Sequence, residues 1–149
     1  MPHHIVIAHL AATLAPIAGV LAVIYAAAPS ARKALRWPLA AASLLATVAL
    51  VASGVAGHTL LDSVRATAPS AEYDAAFRHA KSSDSATTAA VVLAVLAPLA
   101  GWRFLRPTGP RHRFSTAAAV LLGLAGAALI ATTAVTVADA LTAAWAVTA

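Results

Sequence analysis

The chain has no cysteine among its 149 residues. Disulfides, thiolate metal sites and c-type haem attached through Cys-x-x-Cys-His are therefore excluded. Charge is also scarce: 10% of residues are charged and 61% hydrophobic, whereas a soluble globular chain is about one quarter charged. Of the charged residues the acids are the fewer, limited to Asp62, Glu72, Asp74, Asp84 and Asp139. The resulting net charge of +5 does not indicate a nucleic-acid partner. The basic residues sit in short segments flanking apolar runs, with no basic stripe interleaved with aromatics. The opening Met-Pro-His-His has no Lys or Arg, so the basic region of a signal peptide is missing. The apolar run behind it is too long for one and is expected to be a retained span. No Ser, His and Asp stand in an order that marks a hydrolase, and no independent catalytic activity is expected.

What remains is dominated by Ala, Leu and Val. Four apolar runs, about 5–28, 37–56, 86–105 and 115–139, each suit a hydrocarbon core that takes about twenty helical residues to cross. The expected fold is all-α, a single-domain integral membrane four-helix bundle, since backbone polar groups in lipid must be satisfied within each helix. Alanines, Gly19, Gly123 and Gly126 offer small surfaces for close helix approach. Gly54 and Gly57 are expected to do the same for the second span beside His58. The stretch 57–85 is the polar interlude. Within it, Ala71 to Ala80 reads as a short amphipathic helix or as the lead-in to the third span.

The basic residues set an expected orientation. Arg32, Lys33, Arg36, Arg103, Arg106, Arg111 and Arg113 fall in the first and third loops, which contain no acid. By the positive-inside rule, loops 29–36 and 106–114 face the cytoplasm, and both termini and segment 57–85 face outward. Trp37 and Trp102 then mark the inner boundary and Trp145 the outer one, as interfacial aromatics do.

With this topology several polar residues converge on the outer level: His9 in the first span, His58 and Asp62 at the end of the second, His79 before the third and Asp139 late in the fourth. His58 and Asp62 stand four apart and share a helix face. Stripes at steps of three and four lead to that level. They run through His9 and Thr13, through Ser43, Thr47, Gly54, His58, Asp62 and Arg65, and through Thr132, Thr136 and Asp139. Such stripes are expected to face the bundle interior, because polar groups in hydrocarbon are costly. Plainer explanations suit other residues. His3, His4 and His112 read as solvated. Asp62 and Arg65 can pair locally, and Glu72, Asp74, Arg78 and Lys81 can form a solvated face. His79 reads equally well as a surface residue of an outer helix.

Three motifs resemble a bacterial four-span domain-of-unknown-function family. His9, after Pro2-His3-His4-Ile5-Val6-Ile7-Ala8, resembles that family's early His-Phe-Pro. Gly57-His58-Thr59-Leu60 resembles its Gly-Gly-His-Leu, and Arg78-His79-Ala80 its His-Ala or His-Met element. Leu10-Ala11 stand where the family has Phe-Pro, and Ala56 where it has the first Gly. Some members are fused to Rieske iron–sulfur domains, so the resemblance implies a connection with membrane redox chemistry. This chain has no Cys to serve as a Rieske ligand.

Three functional readings stay open. A b-type haem needs neutral imidazoles from different helices and basic groups near its propionates. His9 with His58 or His79 would supply the first, and Arg65, Arg78 and Lys81 the second. Asp62 or Asp139 would orient a ligand's other N–H. The resemblance favours this reading, and the clustering of ligands at one level allows one haem rather than a stacked pair. A divalent metal such as Zn would use His9, His58, Asp62 and His79. An accessory subunit of a larger membrane complex would need no cofactor. The expected partners are the lipid bilayer and other redox membrane proteins or such a complex.

Overall fold

The structure, a computed structural model, describes residues 3–65, 69–108 and 113–146. Arg111 and His112 lie outside them, and the side chains of His3, His4 and Trp145 are not described. The elements are α1 (His3–Ala27), a 3₁₀ turn (Pro29–Ala31), α2 (Arg32–Val64), α3 (Ser70–Leu99), a π-helical turn (Ala100–Phe104) and α4 (Ser115–Ala146). Each helix packs on its sequence neighbour, and α1 against α4 closes the ring. Among the described residues there is no strand. Four segments, Ile5–Ala27, Pro29–Asp62, Ser70–Phe104 and Ser115–Ala144, are long and apolar enough to cross a membrane. The fold is an all-α four-helix bundle with the composition of a multi-pass membrane protein.

The core follows a heptad-like step. Buried positions are Ala11, Ala15, Ala18, Ala22 and Tyr25 in α1, and Leu39, Ser43, Ala46, Leu50 and Ser53 in α2. In α3 they are Ala75, Ala86, Ala90, Leu93 and Ala97, and Ala100 continues the row in the π turn. Alternating steps of four and three keep one seam facing the neighbouring helices, as in left-handed bundles. The residues inside are mostly small, while Leu44, Val48, Val55 and Leu124 stand outside, each about 60% exposed. That inversion of size suits a chain solvated by lipid tails, where small residues let backbones approach and large ones lose nothing by facing out.

Gly19 and Gly126 make the tightest approach. A Cβ on Gly126 would stand 2.7 Å from the Gly19 carbonyl oxygen and 2.9 Å from Ala22 Cβ. The same role expected of Gly54 is not observed: no atom lies within 4 Å of where its Cβ would be. Gly54 instead borders a cavity between α2 and α3.

The interlude 57–85 is mostly helix. α2 runs to Val64 and α3 begins at Ser70, directly after Pro69. Ala71–Ala80 is thus the lead-in to the third span. Alanine-rich sequence propagates helix well, Glu72 complements the dipole in the first turn of α3, and no proline falls between Pro38 and Pro69. At about 1.5 Å per residue, the 33 residues of α2 span about 50 Å. This exceeds the ~30 Å of a hydrocarbon core, so α2 and α3 extend beyond it as a polar pair. At the opposite end Pro98 cannot donate a backbone N–H, and the helix widens into the π turn, closed by Leu105 N–H donating to the Ala100 carbonyl, 2.7 Å. The buried Tyr25 hydroxyl donates to the Leu105 carbonyl, 3.2 Å, and ties α1 to that turn.

Candidate functional site

His9, His58, His79 and Asp139 lie toward one end of the bundle, where α1 and α3 begin and α2 and α4 finish. The convergence expected from the stripes is therefore present, but its pairings differ from those the spacing suggested.

Two cavities at this end are lined by described residues. The larger, about 450 Å³, receives residues from all four helices, among them His9, Leu50, Ser53, His79 and Thr136. Its volume falls within the range of about 300–1,000 Å³ that small-molecule sites occupy. The smaller, about 250 Å³, lies mainly between α2 and α3 and is lined by Gly54, Gly57, His58, Glu72 and His79, among others. Ser53, His79 and Ser83 line both, so His79 stands in the wall between them.

The hydrogen bonds define the tautomers of two histidines. His9 donates Nδ1–H to the Ile5 carbonyl of its own helix, 2.7 Å. His79, half-buried, donates Nδ1–H to the Thr136 carbonyl of α4, 3.2 Å. A carbonyl oxygen only accepts, so in each neutral ring Nδ1 carries the hydrogen and Nε2 keeps its lone pair. A backbone carbonyl on one ring nitrogen is among the partners by which proteins orient a ligating imidazole. His9 is exposed at the rim of the larger cavity.

His58 is placed differently. Its Nε2 meets Asp84 Oδ1 at 3.1 Å, with the two side chains 50% and 60% exposed. The carboxylate that meets it is thus Asp84 of α3, not Asp62 four residues along its own helix. Asp62, Arg65, Arg78 and Lys81 are exposed and line neither cavity. Asp139 is half-buried and likewise lines neither. Among the described residues, no group of three His, Asp or Glu side chains is close enough to share a metal ion.

The polar stripes are partly internal. Ser43 is buried, and the Thr47 hydroxyl reaches both the Ser43 carbonyl, 2.8 Å, and the Ala90 carbonyl of α3, 3.0 Å. Thr13 is exposed and bonds back to His9 O, 2.9 Å. In α4 the buried hydroxyl belongs to Thr133, beside the expected Thr132. Asp84, Ser53 and Ser83 were not singled out by sequence reasoning. A signal for Ser83 existed: Glu72, Ala76, His79 and Ser83 follow steps of four, three and four, a single helix face. For Asp84 there was none, because its meeting with His58 depends on the register between two helices.

Compared with family models, with curated proteins and with solved structures, the chain shows no significant match.

Proposed function

We propose that this is a small integral membrane protein that holds one b-type haem in the larger cavity, as an electron-transfer or redox-accessory subunit. The observation that carries the reading is that His9 and His79, from different helices, line one cavity with Nδ1–H tied to backbone carbonyls. Each thereby retains an Nε2 lone pair of the kind iron ligation needs. The donor set fits the group: two imidazoles with Nδ1 held by backbone carbonyls, walls mainly of Ala with Ile5, Leu50, Val137 and Leu141, and no carboxylate among the lining residues. His9 and His79 would hold the iron, and the apolar helices would exclude water from the macrocycle. When bound, the haem supplies one-electron chemistry; the chain supplies orientation of the imidazoles and a low-polarity surrounding. The resemblance of the His9, Gly57-His58 and His79 motifs to the four-span family supports the same redox context.

In this reading the histidine end faces outward and the Arg-rich end faces the cytoplasm, following the positive-inside rule. The deciding experiment is the visible spectrum of detergent-purified protein, expressed with ample haem supply and recorded oxidised and reduced. Paired α and β bands on reduction are expected. Colourless protein carrying stoichiometric zinc would replace haem by a metal site. Colourless, metal-free and fully assembled protein would leave only the accessory-subunit role.

A further inference from the structure

The end of the bundle opposite the histidines is basic and has no acid to balance it. All five acidic side chains lie in the final turns of α2, the first half of α3 or the last turns of α4. The described cations at this end are Arg32, Lys33, Arg36, Arg103, Arg106 and Arg113, and they are not equivalent. Arg32 donates to the Tyr25 and Ala26 carbonyls, each at 3.1 Å, and closes the end of α1. Arg106 donates to the Trp102 carbonyl, 2.7 Å. Both have acceptors within the chain.

Arg36 does not. Its guanidinium lies 5.2 Å from the Trp102 ring centre and 5.9 Å from that of Trp37. The two rings meet edge to face, 5.0 Å apart. The Arg36 stem lies along Gly101, where a Cβ would stand 3.4 Å from its Cγ. Arg36 is therefore half-buried and held in a fixed place, yet among the described residues no oxygen accepts any of its five N–H donors. Cation–π contact attracts the charge but leaves those donors unsatisfied. Taking a guanidinium partly out of water without an acceptor is costly. Tryptophans favour the headgroup level of a bilayer, and Trp37 is 65% exposed. At that level the available bidentate acceptor is a lipid phosphate.

We propose that Arg36, walled by Trp37 and Trp102, binds the phosphate of an anionic phospholipid such as phosphatidylglycerol. The tryptophan rings flank the headgroup and the exposed Leu and Val faces of the bundle accompany the acyl chains. Lys33, exposed on the preceding turn, contributes only diffuse attraction. This assignment is independent of the haem reading and of which way the bundle faces.

The test uses the full chain in nanodiscs of phosphatidylcholine, with and without phosphatidylglycerol, read by thermal unfolding and by native mass spectrometry of retained lipid. Wild type should unfold at higher temperature with phosphatidylglycerol and should retain it in preference to phosphatidylcholine. Arg36→Gln should lower that retention by about fivefold or more, the scale of one basic group at a membrane surface. Arg36→Lys should restore part of it, since it returns the charge without the planar fork. Lys33→Gln should change retention little. Equal retention of the two lipids by wild type overturns the proposal, and this comparison decides even if Arg36→Gln fails to assemble. Equal losses in Lys33→Gln and Arg36→Gln would also overturn it, showing a diffuse field. Inorganic phosphate giving the same stabilisation in pure phosphatidylcholine would replace the lipid by a free anion.

Discussion

Gly19 and Gly126 face each other across α1 and α4 so closely that a Cβ on either would lie 2.7 Å from the other's carbonyl oxygen. Both obstructing atoms are backbone, so neither side can yield by changing a rotamer. Gly126→Leu should therefore destabilise the bundle by at least about 1–3 kcal/mol through overpacking, or prevent assembly. Gly54→Leu should cost far less, because open space lies beside that residue. Thermal unfolding in detergent checks both. Equal effects would mean that the α1–α4 contact is not the tight seam of the bundle.

Between α2 and α3 the hydroxyl of Thr47 provides a polar tie. Its single hydrogen is shared between the Ser43 carbonyl and the Ala90 carbonyl across the interface. Thr47→Val keeps the shape and removes the donor. The expected loss is about 0.6 kcal/mol, the average for such bonds in membrane bundles, measured as a shift in denaturant or thermal midpoint. A stability equal to or above wild type would assign the contact to packing alone.

Why the architecture could be read from sequence and the site only in part has a physical basis. Span number and type follow from local composition: a run such as Ile5–Ala27 is apolar whatever its neighbours do. The small-residue seam is likewise local, repeating at Ala11, Ala15, Ala18 and Ala22. The end-level clustering of His9, His58, His79 and Asp139 follows from counting residues along antiparallel helices. The partners do not. Whether His58 meets Asp62 or Asp84, and whether His79 turns toward solvent or toward Thr136, depends on rotation and register between helices. A one-position shift, about 100° around a helix axis, reverses those outcomes. Gly54 failed for the same reason: smallness is visible in the sequence, but the neighbour it would admit is not.

The proposed orientation can be tested cleanly because the chain has no native cysteine. Asp74 in α3 and Lys33 at the start of α2 are both exposed and lie at opposite ends of the bundle. A single cysteine at Asp74 should react with a membrane-impermeant maleimide in intact cells. One at Lys33 should react only after permeabilisation. The expectation rests on the basic residues concentrated at the Lys33 end. The reverse pattern would invert the bundle while leaving its packing and its cavities unchanged.

The two cavities separate the roles of the three histidines. His9 and His79 share the larger one, while His58 lines the smaller and its Nε2 is engaged by Asp84. If iron is held across the larger cavity, His9→Ala and His79→Ala should each abolish the six-coordinate reduced spectrum. His58→Ala and Asp84→Asn should leave its band positions in place, because neither residue reaches that cavity. Acidification should release the haem from wild type, since protons compete with iron for the same nitrogen. Exogenous imidazole should partly restore the spectrum of His9→Ala, whose site is at the exposed rim, more readily than that of His79→Ala, whose site lies deeper. Loss of the spectrum in His58→Ala with retention in His79→Ala would move the iron to the smaller cavity. Retention in His9→Ala and His79→Ala alike would remove both from ligation, and their backbone hydrogen bonds would then be purely structural.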